Sequence, residues 1–144
     1  MFRGKGFTMV ELIIVIIIIG LLITLGLPQY RKMLERGQVA RALAVLDMIR
    51  KAQSIVHAST NTYSGNLAAN GDLDNELDGA LRPAIDALNG WDFSIEDVDA
   101  TEFTAVAERD GGYCDGGRIL LNHNGQITPE NVFAAGRCAN MIQQ

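Results

Sequence analysis

The sequence predicts an α+β fold in which a long N-terminal helix packs on a small antiparallel β-sheet. Three observations predict it: an apolar run over residues 7–27, a periodic apolar pattern over residues 39–56, and short alternating segments in the second half. A chain of 144 residues has room for one compact domain and an appended segment.

The apolar run matches the thickness of a membrane. Its 21 residues include fifteen Ile, Leu, Val and Phe residues, and as a helix they span roughly 30 Å. Such a run favours insertion by about 5–9 kcal/mol, whereas its one charged residue, Glu11, opposes insertion by roughly 3 kcal/mol. We therefore expect insertion. A secretory signal, which has a shorter apolar core and a small-x-small cleavage site, and a plain transmembrane anchor are the alternatives.

A short basic leader with a specific motif precedes the apolar run. Arg3 and Lys5 are followed by Gly6, by Phe7 and, four residues later, by Glu11. This region closely resembles the processing site of the type IV pilin family, which includes pilins and the pseudopilins of type II secretion. The matching stretch is Lys5-Gly6-Phe7-Thr8-Met9-Val10-Glu11-Leu12.

The resemblance implies a function and a sequence of events. A prepilin peptidase would cut after Gly6 and methylate Phe7, the new N-terminus. The product would be a structural subunit of a type IV pilus-like filament, and the alternative is a major pseudopilin of a type II secretion system. The precursor would cross the inner membrane once with its head outside, then join an extracellular filament or a periplasmic pseudopilus. Implied partners are copies of itself, the peptidase, the pilus or secretion assembly machinery and inner-membrane lipid.

Glu11 has a physical role that can be read without the resemblance. Cleavage after Gly6 would leave a positive amine on Phe7, one helical turn from a carboxylate in an apolar environment. Opposite charges at low dielectric offset each other's desolvation. If the amine belongs to a neighbour, Glu11 sets the register of assembly, which is the role the family assigns to it. The alternative is that Glu11 stabilises the helix N-terminus through the macrodipole.

Pro28 stands where the family commonly has a helix-interrupting proline. It lacks a backbone donor and crowds the preceding turn, so the helix should kink or loosen near residues 24–28. Gly20 and Gly26 each weaken helix propensity by about 1 kcal/mol. A soft segment for assembly and a simple membrane-helix kink are both consistent with these residues.

Beyond Pro28 the apolar residues become periodic. They follow the spacing of one helix face, which predicts one helix over residues 8–58 whose second half packs on the head. We expect four segments: a leader (1–6), a transmembrane and filament-core helix (7–28), an amphipathic continuation (29–58) and a globular α+β head (59–144). The stripe consists of Val39, Ala42, Leu43, Leu46, Ile49, Ala52 and Val56.

An acidic stretch over residues 72–78 lies between the helix and the strands. It fails the EF-hand pattern, because the sixth position is Leu77 instead of Gly and the twelfth is Pro83 instead of Glu. We expect a solvated loop, a short helix over residues 83–88 and a stop at Gly90. The sequence predicts no cofactor and no metal, with an irregular calcium site in residues 72–78 as the alternative.

Strand signals fill the remainder of the chain. Alternating or apolar segments over residues 91–95, 103–107 and 118–123 predict three strands. Asn124-Gly125 is a strong hairpin turn that leads into residues 126–128. The result is a small antiparallel meander packed on the amphipathic helix.

Cys114 and Cys138 are the two cysteines of the chain. A bridge between them would close a loop of 25 residues and stabilise the fold by about 3.5 kcal/mol in the chain-entropy estimate. Members of the resembled family often tie down their C-terminal region in this way, and major pseudopilins commonly lack the pair, which favours a pilin. Free thiols and a metal pair are the alternatives, although His123 is the only histidine nearby.

Charge and motif content argue against other functions. The formal net charge is −5, with most acids after Asp47, so we expect that no nucleic-acid partner is required. Neither His57 nor His123 is spaced to pair with a nucleophile, and we expect no enzyme. The glycine-rich residues 111–117 lack the Lys-Ser/Thr ending of a phosphate loop and predict a flexible hairpin tip. A membrane-tethered enzyme or sensor domain is the contrasting hypothesis.

Overall fold

The structure is a computed structural model that describes residues 7–65 and 75–142, with the backbone alone for residues 75–80. It confirms the predicted α+β architecture of a long helix and an antiparallel sheet. Two compact units are present, one up to Leu34 and one from Glu35 onward. The elements in order are helices α1 (Met9–Thr60) and α2 (Asn75–Asp86), strands β1 (Trp91–Glu96), β2 (Thr104–Arg109), β3 (Arg118–Asn122) and β4 (Ile127–Glu130), and two 3₁₀ turns, Asn131–Phe133 and Ala139–Met141.

Helix α1 is one continuous element of 52 residues. It passes through Pro28 without a break, because a proline removes one hydrogen bond whereas the residues on both sides keep theirs. In the preceding turn, the Thr24 hydroxyl donates to the carbonyl oxygen of Leu21 at 2.8 Å. The predicted loosening at Pro28 therefore does not end the helix.

The second half of α1 carries the core stripe of the head. Six apolar residues between Val39 and Ala52 are buried, while Leu43 and Val56 are partly buried, much as the periodicity predicts. The buried Gln53 was not anticipated. Its amide nitrogen donates to the Ser64 carbonyl oxygen at 2.7 Å, and its amide oxygen accepts from the Ser64 N–H at 2.9 Å. This reciprocal pair fixes the chain as it leaves the helix.

Helix α2 begins earlier than the sequence predicts. A helix over residues 83–88 was expected, with Pro83 near its start, but Pro83 lies inside Asn75–Asp86. Its ring is exposed and takes no space in the core, whereas Leu81 is buried and Ala84 packs against the core. Tertiary burial thus outweighs the unfavourable helix propensity of proline.

The sheet is an antiparallel meander in the order β1-β2-β3-β4. The predicted strands are correct within one or two residues, except that Phe103 lies just outside β2 in the core. Ala107 pairs with Phe93 on one side and with Ile119 on the other, which sets the register. The Asn124–Gly125 turn is confirmed: the Gly125 N–H donates to the Asn122 carbonyl oxygen at 2.9 Å, and its φ of 85° suits glycine.

A buried ion pair joins α1 to β2. Arg109 Nε donates to Glu35 Oε1 at 2.8 Å, and each side chain is only 7% exposed. Arg109 Nη1 also donates to the Gly90 carbonyl oxygen at 2.6 Å, and the guanidinium lies 5.5 Å from the centre of the Trp91 ring. A Cβ at Gly90 or at Gly112 would clash with this guanidinium, and both glycines have positive φ. The pair is therefore enclosed by backbone as well as by side chains.

A disulfide between Cys114 and Cys138 links the β2–β3 turn to the C-terminal turns, as the sequence predicts. Both cysteines are fully buried. A Cβ at Gly117 would clash with the Phe133 ring, so this part of the turn is packed against the core. The turn over residues 111–117, which the sequence predicts as a flexible hairpin tip, is thus linked covalently at Cys114 and packed on Phe133 at Gly117.

We predict that Glu35→Ala lowers the free energy of unfolding by about 3–5 kcal/mol, because it leaves the Arg109 guanidinium buried without its carboxylate. Denaturant titration of the full chain in detergent, followed through the fluorescence of Trp91, measures the change. The matched control is Asp47→Ala, which removes the partly exposed pairs with Arg50 and Lys51 and should cost at most about 1 kcal/mol. Equal losses in the two variants would contradict a special role for the buried pair.

Candidate functional site

The first feature of the candidate site is an apolar segment of helix α1 that the rest of the described chain does not bury. The large apolar side chains from Phe7 to Leu27 are between 47% and 85% exposed. Helix α1 contains one window long and apolar enough to cross a membrane, and none of that window is buried within the chain. Soluble monomers rarely expose contiguous apolar surface on this scale, so this segment requires lipid or protein as its environment.

The second feature is a capping box at the start of α1. The Thr8 N–H and the Thr8 hydroxyl each donate to Glu11 Oε2 at 2.9 Å, and the Glu11 N–H donates to Thr8 Oγ1 at 3.3 Å. This reciprocal arrangement satisfies backbone donors that a helix N-terminus leaves open. Both hydrogen bonds that Thr8 donates go to Glu11 Oε2, so Glu11 Oε1 forms no hydrogen bond within the capping box.

Glu11 therefore caps its own helix through hydrogen bonds with Thr8, and its Oε1 takes no part in them. Thr8 was not among the predicted site residues, although the Thr-x-x-Glu spacing is a recognisable capping signal in the sequence. Phe7 directly precedes the capping residue and is 83% exposed. Gly6 and the rest of the leader lie outside the described residues.

Pro28 and the glycines of the apolar run are exposed in the described part of the chain. A Cβ at Gly20 or at Gly26 would meet nothing within 4 Å. Packing inside the chain therefore does not require a glycine at either position. Their roles in assembly stay a prediction.

Titratable groups in the head have local explanations. The pKa of Asp99 lies below its ordinary value because the N–H groups of Thr101 and Glu102 donate to its carboxylate. The pKa of Asp47 is lowered by its hydrogen bonds with Lys51 and Arg50. These carboxylates lie in a turn and on a helix, each with its own partners, and do not converge on a shared cleft.

The histidines take part in packing. His57 Nε2 lies 3.0 Å from the Ala100 carbonyl oxygen, to which it donates, and the His57 ring stacks on Tyr63. Over residues 7–65 and 75–142, no group of three His, Cys, Asp or Glu residues is placed to hold a metal ion. The acidic stretch 72–78, where calcium is the alternative prediction, falls outside the described side chains.

Comparison with known proteins finds one family model and several fimbrial proteins that are similar to this chain. The family described as "Prokaryotic N-terminal methylation motif" matches residues 1–27. A fimbrial protein of Moraxella nonliquefaciens is 40% identical over 86 residues, which is 60% of this chain and 49% of the relative. A fimbrial protein of Neisseria meningitidis serogroup B is 31% identical over 87 residues, 60% of this chain and 51% of the relative.

A shorter match has a higher sequence identity. The type IV major fimbrial protein FimA of Dichelobacter nodosus is 44% identical over 48 residues, 33% of this chain and 31% of the relative. The chain spans about half the length of the first two relatives and about a third of this one. The match to the methylation motif covers the apolar segment and the capping box at the start of α1.

We predict that Thr8→Val loosens the first turn of α1, because valine keeps the shape of threonine but loses the hydroxyl that bonds with Glu11. A lost cap costs about 1 kcal/mol, so amide exchange at residues 9–12 should rise roughly fivefold. Hydrogen exchange of the full chain in detergent micelles measures this, with Thr8→Ser as the control that retains the hydroxyl. Unchanged exchange in Thr8→Val would contradict the capping box.

Proposed function

We propose that this chain is a member of the type IV pilin family and the structural subunit of a type IV pilus-like filament. The observation that carries the proposal is the uncovered apolar helix of residues 7–27 behind a methylation motif. The apolar surface of such a helix is stable only when lipid or other helices shield it from water. Lipid surrounds the helix before assembly, and the helices of sister subunits surround it afterwards.

The proposed precursor spans the inner membrane once through residues 7–28. Residues 1–6 are the leader, residues 29–58 continue the helix, and residues 59–144 form the head outside the membrane. The prepilin peptidase cuts after Gly6 and methylates the amine of Phe7. The disulfide supports a head outside the cytoplasm, because such bonds persist in oxidising compartments.

Glu11 then acts in assembly. Thr8 occupies Oε2, which leaves Oε1 to accept from the Phe7 amine of a neighbouring subunit. Charge pairing at low dielectric is strong and sensitive to distance, so it fixes the axial position of one helix against the next. The helix near Pro28, together with Gly20 and Gly26, provides a soft segment that adjusts its length as subunits leave lipid for the filament.

A major pseudopilin of a type II secretion system is the second candidate. The same helix and motif serve both proteins, but the buried bridge of Cys114 and Cys138 supports a pilus subunit, since major pseudopilins commonly lack it. Deletion of the gene distinguishes the two. Loss of surface filaments identifies a pilin, and loss of enzyme secretion identifies a pseudopilin.

We predict that the mature chain in assembled material begins at methylated Phe7. Intact-mass measurement of filaments sheared from the native host should show the loss of residues 1–6 and the gain of one methyl group. A Gly6→Leu variant should retain the leader, because the proposed cut follows the glycine that ends the leader in the resembled family. Assembled wild-type subunits that still carry residues 1–6 would contradict the proposal.

We also predict that Glu11→Ala enters the membrane normally but yields at least tenfold fewer filaments, because the neighbour's amine loses its partner. Membrane fractionation and electron microscopy measure the two properties. Glu11→Gln should fail similarly, since it keeps the shape but loses the charge. Thr8→Val is the control that weakens the cap and keeps the charge, and it should assemble. Wild-type filament yield from Glu11→Ala would remove the register role.

A further inference from the structure

We infer that the part of helix α1 formed by Tyr30, Arg31 and Lys32, here called the interfacial cluster, binds the headgroups of anionic phospholipids. The inference rests on the proposed function, in which residues 7–28 span the membrane, and it names the class of lipid that this segment selects. All three residues lie in the unit that ends at Leu34.

The interfacial cluster begins directly after the apolar run. Tyr30 lies three residues and Lys32 five residues beyond Leu27, which corresponds to roughly 4–8 Å along a helix. The polar headgroup region on each side of a bilayer is about 5–8 Å thick. A helix whose apolar run ends at the edge of the hydrocarbon core therefore holds the interfacial cluster at the depth of the headgroups.

The side chains of the cluster suit a lipid surface. Tyr30 is 60% exposed, and tyrosine is enriched at membrane interfaces because its ring is apolar and its hydroxyl is polar. Arg31 is exposed and Lys32 is partly exposed. A guanidinium donates to phosphate oxygens in a bidentate manner, and an ammonium group attracts them as a point charge. A phosphate group without a compensating cation is the chemistry that these residues recognise.

The positive charge of the cluster is available to an anion from outside the chain. Within the described residues, neither Arg31 nor Lys32 forms an ion pair with a carboxylate. Over residues 28–46 the sequence has one acid, Glu35. Its carboxylate is bonded to Arg109 and is buried with it. The nearest acid in the sequence therefore does not neutralise the cluster.

The proposed orientation adds a reason for anions on the outer side of the membrane. Cations beside a transmembrane segment favour the cytoplasmic side, whereas the proposed orientation places Arg31 and Lys32 outside. Removal of the leader also takes away Arg3 and Lys5, so the mature chain keeps its basic flank only on the outer side. Anionic lipid in the outer leaflet supplies counter-charge at the depth of this flank, since basic residues near such a surface are attracted to it.

The chain contains a matched control for the basic pair. Arg50 and Lys51 repeat the same two residue types in the same order on the same helix. They belong to the unit that begins at Glu35, and both bind Asp47, at 2.9 Å and 2.7 Å. Loss of this second pair changes the net charge by the same amount and leaves the interfacial cluster intact.

Native mass spectrometry of the full chain in detergent micelles tests the inference. The probes are phosphatidylglycerol and phosphatidylcholine with identical acyl chains. The wild-type chain should bind phosphatidylglycerol roughly tenfold more tightly, because two cations attract its net negative headgroup. The double variant Arg31→Gln with Lys32→Gln should lose this preference, whereas Arg50→Gln with Lys51→Gln should retain it. An excess of inorganic phosphate should leave the bound phosphatidylglycerol in place.

Three results would overturn the inference. The first is an unchanged lipid preference in Arg31→Gln with Lys32→Gln. If that variant also forms no filaments, the cluster binds an acidic surface of another subunit instead of lipid. The second is an equal loss of preference in both double variants, which would indicate a response to net charge alone. The third is displacement of the lipid by inorganic phosphate, which would identify a free anion as the ligand.

The lipid measurement and the proposed function fail separately. Lipid binding is measured on the monomer and does not require assembly. Absence of filaments from the wild-type chain would therefore overturn the proposed function, whereas loss of lipid selectivity in a chain that still forms filaments would overturn only the inference.

Discussion

An apolar helix that its own chain cannot cover is the constraint on which this protein depends. Residues 7–27 contain fifteen Ile, Leu, Val and Phe side chains. At roughly 1.5–3 kcal/mol for each large apolar side chain, full cover is worth on the order of 20–40 kcal/mol. That exceeds the usual stability of a whole domain, about 5–15 kcal/mol. The environment of this helix therefore dominates the energetics of the chain, and any function must provide it with lipid or with other helices.

Glu11 is the exception within this helix, and the capping box explains how it is tolerated. A lone carboxylate in an apolar environment is costly, and hydrogen bonds to it reduce that cost. Thr8 supplies two donors to one oxygen, while the second oxygen stays outside the box. The same residue can thus stabilise the helix start in a single subunit and bind an amine between subunits. Capping and register are compatible roles, and the variants at Thr8 and Glu11 separate them.

Local sequence patterns predicted the helices and strands of this fold, but they did not predict contacts between residues far apart in the sequence. The apolar run, the stripe on α1 and the alternating strands follow from periodicity, which each segment carries by itself. The pairing of Glu35 with Arg109 joins positions 74 residues apart, and no spacing rule connects them. Similarly, Pro83 looked like a helix start because local propensity does not register the burial of Leu81.

The residues of the candidate site could be recognised from local sequence, whereas other features of the head could not. Gly6, Phe7 and Glu11 stand out in the sequence because their motif is local, and the Thr8 capping signal was equally readable. The glycines of residues 111–117 can be read from the sequence, whereas the contact of Gly117 with Phe133 depends on the tertiary fold.

The central claim is that the uncovered helix must be enclosed by lipid or by sister helices. Analytical ultracentrifugation of the purified mature chain during gradual removal of detergent tests this most directly. Our account predicts that the monomer disappears as detergent falls, in favour of filaments, larger assemblies or lipid-bound protein. A stable, monodisperse monomer in detergent-free and lipid-free buffer would contradict it.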